Sequence, residues 1–163
     1  MPYAPCAMLY RDFTAFEDDL IQMMLDQGTC YVPTLTAMEA LEKMRLPGTL
    51  RCSQQALKQL ADAGVKIALG TDSGVPGVQL GSAVHTEMEL MVGAGLTPRQ
   101  AIVAATGNIA EDLGQPDWGT IKAGKLADLV VVSGDLLREI SDTRKIRLVV
   151  KDGGIAMKSE IGP

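Results

Sequence analysis

The stretch Val65–Leu69, apolar apart from Lys66 and closed by Gly70-Thr71-Asp72, constrains the fold of this 163-residue chain more than any other. It follows directly on a helical pattern that opens at Ser53, carries Leu57, Leu60 and Ala61 on one face and stops at Gly64. A short apolar run arriving straight after a helix reads as a strand covered on both faces, the situation of a parallel sheet. An earlier β-prone run, Thr29–Leu35, supplies a partner, with Pro33 marking a strand end or edge. The two runs and the helix from Ser53 to Ala63 form a βαβ unit, the crossover that parallel strands require.

Helical signals surround this unit. Thr14 and Glu17 have the spacing of a capping box; Asp18 and Asp19 follow in the first turn, and Phe16, Leu20, Met23, Met24 and Gln27 form a stripe ended by Gly28. Thr36 with Glu39 repeats the box and predicts a helix ending near Pro47-Gly48. A further helix is predicted from Ser82 to Ala94, closed by Gly95. Thr97-Pro98-Arg99-Gln100 then combines an N-cap, Pro at the first helical position and Gln at the third. That helix should run to Thr106, which caps a last short one reaching Leu113. Beyond Gly119 the pattern becomes β: Thr120-Ile121, Ala127–Val132 and Ile146–Lys151, with Asp152-Gly153-Gly154 turning into Ile155–Lys158. The chain therefore divides into an α/β part, residues 1–116, and a mostly β part, residues 117–163.

Charge narrows the partners. With 15 basic and 20 acidic side chains the net charge is −5, which argues against nucleic acid or an anionic membrane surface. No apolar run approaches the roughly 18 residues of a membrane span. Met1–Phe13 lacks a basic region leading into an apolar stretch, so no secretory signal is expected. Cys6, Cys30 and Cys52 are odd in number and widely spaced, which suits free thiols in a reducing, cytoplasmic setting better than a disulfide or zinc framework.

One feature carries chemistry. Gly70-Thr71-Asp72-Ser73-Gly74 leaves the carboxyl end of a buried strand, where α/β proteins gather their ligands. Asp72 there could hold a metal or move a proton; on spacing alone, Asp before Ser-Gly reads first as a turn opener. Thr71, Ser73 and the following loop, Ser73–Gly81, are placed to line a site. His85, the chain's one histidine, has two readings: a residue at the substrate mouth or a remodelled metal site, or a structural residue packing its helix with Ser82 and Glu87. The structural reading is preferred. Met88, Leu90 and Met91 read as core packing. Asp128, before a strand, suits turn amides, and Arg144, Lys145, Arg147 and Lys151 form a basic cluster without aromatics, read as solvated surface.

Taken in order, Gly70-Thr71-Asp72-Ser73-Gly74, His85-Thr86-Glu87, Ala94-Gly95-Leu96-Thr97-Pro98, Ala104-Ala105-Thr106, Asn108-Ile109-Ala110, Gly119-Thr120-Ile121, Gly124–Val132 and Val149–Gly154 form one multi-part series. The series resembles the C-terminal part of the metal-dependent amidohydrolase superfamily, in its imidazolonepropionase-like and Xaa-Pro dipeptidase-like branch. Val32-Pro33-Thr34-Leu35 likewise resembles the penultimate barrel strand of that branch, and the likeness covers roughly residues 14 to 158. It implies the C-terminal segment of a (β/α)8 barrel followed by part of a small β-sandwich. It implies hydrolysis of amide, cyclic amide or dipeptide C–N bonds by water on one or two divalent ions, usually zinc. Asp72 matches the family's acid at the end of the last barrel strand, which binds metal and shuttles a proton to the leaving nitrogen.

The departure from the family is large. Its enzymes carry a His-x-His pair on the first strand, a mid-barrel carboxylated lysine or glutamate, and two later histidines; His85 matches none of these. A zinc hydrolase needs about three protein ligands, and Asp72 cannot supply them alone. The expectation is a truncated amidohydrolase, inactive as an isolated chain; the divalent metal belongs to the parent family, and whether this chain alone holds one stays open. Two alternatives stay open: a half-enzyme completed by an N-terminal partner chain, and a non-catalytic binding or assembly domain. Open strand edges further predict a homo-oligomer.

Overall fold

The computed structural model describes residues 15–44 and 46–159. Thr14, Cys6 and the stretch Met1–Phe13 lie outside them. In chain order the elements are α1 (Asp18–Asp26), β1 (Cys30–Tyr31), α2 (Leu35–Lys43), α3 (Thr49–Asp62), β2 (Lys66–Ile67), α4 (Ala83–Gly93) and α5 (Pro98–Val103). A π-helical turn (Ala104–Asn108) carries α5 into α6 (Ile109–Asp112). Then come β3 (Leu129–Val132), a 3-10 turn (Ile140–Arg144), β4 (Ile146–Lys151) and β5 (Gly154–Lys158).

The parallel pair exists as read. β1 and β2 align in parallel with Cys30 opposite Lys66 and Tyr31 opposite Ile67, and Ala68 donates its amide to Tyr31 at 3.0 Å. α2 and α3 form the crossover. Residues of the opposite parity point away from β1, and the π-helical turn meets them: Leu69 donates to the Ala104 carbonyl at 3.0 Å, and Asn108 Nδ2 donates to the Ile67 carbonyl at 2.8 Å. One strand edge expected to stand open is thus partly satisfied by a helix. Leu35, Leu57, Leu60 and Met91, all fully buried, centre the core, and Met88 lies in it too with Leu90 packed against it.

Several helix starts differ from the sequence reading, and each for a tertiary reason. Glu17 is the N-cap residue of α1 and makes no side-chain cap bond. The inward face of α1 carries Ile21 with Met24 and Phe16 against the core, while Leu20 and Met23 turn to solvent. Gln59 sets that rotation, donating to the Phe16 carbonyl at 2.9 Å and accepting from its amide at 2.7 Å. The β-prone run stops early: Leu35 already belongs to α2, with Thr34 as its N-cap residue, so Thr36 lies inside the helix. α3 begins at Thr49, not Ser53, after Gly48 at φ 88°. The Glu42 carboxylate accepts the Leu50 amide at 3.1 Å, so an acid from α2 serves this N-terminus. Thr106 caps nothing; it sits in the π turn and donates its hydroxyl to the Ile102 carbonyl at 2.7 Å.

The last third forms a three-stranded antiparallel sheet in the order β3-β4-β5. Asp152 (φ 49°) and Gly153 (φ 76°) make its tight turn, as the Asp-Gly pair predicts. Asp128, just before β3, accepts the Asp152 amide of this turn at 2.7 Å. Thr120-Ile121 is not a strand; the segment is held by its own turns, with Leu126 donating to Asp117 at 3.0 Å, and Ile121 lies open to solvent.

Candidate functional site

The chain leaves β2 through Ala68-Leu69-Gly70 and turns outward at Asp72. Gly70 is required there, because a Cβ would stand 2.5 Å from Val32 Cγ1 on the neighbouring segment. Asp72 is exposed and has φ 53°, a left-handed conformation that costs an ordinary residue about 1–2 kcal/mol. Its carbonyl accepts the Val75 amide at 3.2 Å. The Thr71 and Ser73 hydroxyls meet at 2.7 Å, closing the turn around it. These contacts hold Thr71, Asp72 and Ser73 in one turn.

His85 belongs elsewhere. Its Nδ1 lies 3.1 Å from the Thr143 hydroxyl in the 3-10 turn, and not on Ser82 or Glu87. Half-buried and beside the Arg144 guanidinium, the imidazole is held below its ordinary pKa, burial weighing most and the Glu89 carboxylate pulling the other way. Arg144 pairs with Glu89 at 2.7 Å and reaches Thr86 Oγ1 at 2.9 Å. This group joins α4 to the β part of the chain. The basic cluster is likewise paired, Lys145 with Asp142 and Lys151 with Asp128.

Sequence reasoning missed the acid that matters most to this end of the sheet. Glu87 is wholly buried on α4. Its Oε1 accepts the Leu35 amide at 2.7 Å; its Oε2 accepts the Thr36 amide at 2.7 Å and the Thr36 hydroxyl at 2.8 Å. The Thr36 hydroxyl also stands 3.0 Å from the Thr71 carbonyl, one residue before Asp72. Burial raises the Glu87 pKa, while the amides and hydroxyl of α2 pull it back down. A signal was available: Ala83, Glu87 and Met91 fall on one helical stripe, an acid between apolar neighbours at a spacing of four.

Of two clefts, one borders this region and one lies apart from it. One, about 440 Å³, is lined by Thr36 and Glu39 of α2 together with Gly77, Val78 and Gln79 of the expected substrate loop. The other, about 340 Å³, lies at the opposite end of β2 among Lys66, Arg99 and Asn108, and holds none of the expected site residues. Among the described residues no three His, Cys, Asp or Glu side chains gather to hold a metal ion. The described residues alone do not fit a divalent ion. Nor is any described helix long and apolar enough to cross a membrane.

A sequence profile of the Amidohydrolase family matches residues 11–156. The imidazolonepropionase of Deinococcus radiodurans is 36% identical over 124 residues, which are 71% of this chain and 30% of that protein. The 5-methylthioadenosine/S-adenosylhomocysteine deaminase of Moorella thermoacetica is 36% identical over 84 residues, 47% of this chain and 20% of that protein. Among solved structures, a Xaa-Pro dipeptidase with methionine bound in its active site superposes with a TM-score of 0.80 at 29% identity, covering 88% of this chain and 38% of that one. The chain thus spans well under half the length of the proteins it matches. These neighbours imply a TIM-barrel-type fold.

Proposed function

The chain belongs to the amidohydrolase family, and from that premise we propose that it supplies the last two strands of a (β/α)8 barrel, within residues 1–116, and part of a small β-sandwich, within residues 117–163. The assembled enzyme hydrolyses a C–N bond in an amide, cyclic amide or dipeptide. Members of the family generally use divalent metals. The three relatives carry three different names, so the substrate is assigned only as this bond class.

The observation that carries the reading is Asp72, exposed and left-handed just beyond the carboxyl end of a parallel strand. TIM-barrel enzymes place their chemistry at that end. In the proposed reaction the Asp72 carboxylate takes a proton from the attacking water as its oxygen bonds to the carbonyl carbon. It returns the proton to nitrogen as the C–N bond breaks, so water is consumed and acid plus amine are released. The other groups the reaction needs come from strands outside these 163 residues, on the same polypeptide or on a partner chain. By itself this span is inactive, and it associates with further copies.

Native mass spectrometry and an amide and dipeptide panel, run on the purified chain, should give a metal-free oligomer without turnover. Adding a chain that carries the preceding barrel strands should restore hydrolysis, and Asp72→Asn should abolish it again. Turnover by the chain alone, or full activity in the Asp72→Asn assembly, would overturn the proposal.

A further inference from the structure

Among the described residues only three besides glycine have positive φ: Thr34 at 47°, Asp72 at 53° and Asp152 at 49°. Asp152 is explained by its hairpin. Thr34 and Asp72 both stand where the chain leaves the parallel pair, one after β1 and one after β2. For a β-branched threonine and an aspartate in open turns this conformation is uphill, and it persists only where the surroundings over-determine it. The atoms between the two strained residues are those of one network. Glu87 holds the Leu35 and Thr36 amides at 2.7 Å each, immediately after Thr34. The Thr36 hydroxyl sits between Glu87 Oε2 at 2.8 Å and the Thr71 carbonyl at 3.0 Å, immediately before Asp72. A single hydroxyl therefore spans the two strand exits, and a fully buried carboxyl from a third element holds it in place.

We propose that Thr36 and Glu87 are positioning residues for Asp72: the Thr36 hydroxyl shares its one proton between Glu87 Oε2 and the Thr71 carbonyl, a three-centre bond that ties the buried carboxyl to the backbone presenting Asp72. The inference rests on the functional reading of Asp72 for its consequence, but its geometry stands independently. In this proposal both residues act through the backbone that presents Asp72. They act by keeping a strained turn in one arrangement, and displacements of about 1 Å at a reacting group can cost on the order of 10²-fold in rate. A Cβ at 70 would stand 2.5 Å from Val32 Cγ1, so close packing at Gly70 adds to the hydroxyl contact in restraining the segment that leads to Asp72.

The test compares Thr36→Val, Thr36→Ser and Glu87→Gln in the full chain by NMR. In Thr36→Val the Asp72 Cα and Cβ shifts should leave the left-handed range and exchange of the Val75 amide should speed, while amides of Leu57, Leu60 and Met91 keep their protection. Glu87→Gln should move the same signals, since a carboxamide cannot accept both α2 amides. Thr36→Ser, which keeps the hydroxyl, should restore the original pattern. Unchanged Asp72 shifts in a folded Thr36→Val chain, or uniform loss of protection with Asp72 unmoved, would overturn the proposal. Should Thr36→Val not fold, Glu87→Gln and Thr36→Ser decide it on the same signals.

In the complemented enzyme the expected split is a kcat lowered ~10- to 100-fold in Thr36→Val with KM little changed, rescued by Thr36→Ser. If Asp72→Asn leaves activity intact, the functional reading fails and the clamp is judged by NMR alone. If Asp72→Asn is inactive but Thr36→Val is fully active, the positioning role fails.

Discussion

Thr36 and Glu87, 51 residues apart in sequence, meet twice at one oxygen: the threonine amide reaches Glu87 Oε2 at 2.7 Å and its hydroxyl reaches it at 2.8 Å. Helix N-termini ordinarily find their first acceptor in a side chain a few residues away. Here the acceptor for α2 comes from α4. The cap of one helix therefore also binds two helices together and sets the strand exit beside them.

The carboxyl of Glu87 should leave a mark on the pH dependence of stability. Burial raises its pKa in the folded chain above the unfolded value, so the folded state holds the proton more tightly. That contribution is complete below the unfolded pKa and is lost as pH rises through the folded one. Urea unfolding of the native chain and of Glu87→Gln, from about pH 4 to about pH 8, should show the native chain losing ground to the variant as pH rises. A constant difference across that range would contradict the raised pKa.

His85, the chain's one histidine, gives an unobstructed NMR titration. Its midpoint should fall below the ordinary value of about 6.5, because burial and then Arg144 disfavour the imidazolium. Arg144→Gln should move it upward. A pKa lowered by folding contributes stability above the unfolded value that is lost as pH falls through the folded one. Acidification should therefore destabilise the native chain more than His85→Gln. A midpoint above 6.5 would reverse the assignment of its surroundings.

Gly70 and Val32 should behave as a coupled pair. A Cβ at 70 would lie 2.5 Å from Val32 Cγ1, and a β-branched side chain has few rotamers with which to yield. Gly70→Ala should cost about 1–3 kcal/mol in urea unfolding. Val32→Ala should recover part of that loss in the double variant. Strict additivity in the double-mutant cycle would show that the two do not touch.

The start of α5 tests a local cap with no tertiary help. Thr97 Oγ1 accepts the Gln100 amide at 3.2 Å and Gln100 Oε1 accepts the Thr97 amide at 2.8 Å. Thr97→Ala should destabilise the chain by about 1 kcal/mol and Thr97→Ser by much less, both read from the unfolding midpoint. Equal losses in the two variants would show that the threonine methyl, not the cap, carries the effect.

Where the sequence alone was sufficient, the cause was local. Thr97-Pro98-Arg99-Gln100 holds its whole box within four residues, and it forms as written. Asp152-Gly153 turns the β4–β5 hairpin because both residues accept positive φ. Gly28, Gly64 and Gly95 lie just past the ends of α1, α3 and α4 for the same conformational reason. Val65–Leu69 against Thr29–Leu35 was legible as a parallel pair from burial alone, although the ladder is shorter than either run.

The helix starts at Leu35 and Thr49 were not legible. Their acceptors, Glu87 and Glu42, are brought by packing, and a rule that searches three residues ahead finds Glu39 or passes on to Ser53 instead. The same holds at the site. Asp72 could be singled out because strand, glycine and acid are consecutive. That His85 turns to Thr143, 58 residues on, while Glu87 two residues later turns inward to Thr36, depends on which face of α4 meets which neighbour. Sequence by itself determined the order of most elements, the parallel exit at Asp72 and the family, since each is written in contiguous residues and their periodicity. Tertiary structure alone decided which buried carboxyl satisfies which backbone. A buried donor must find an acceptor, and only the folded arrangement sets which one lies within reach.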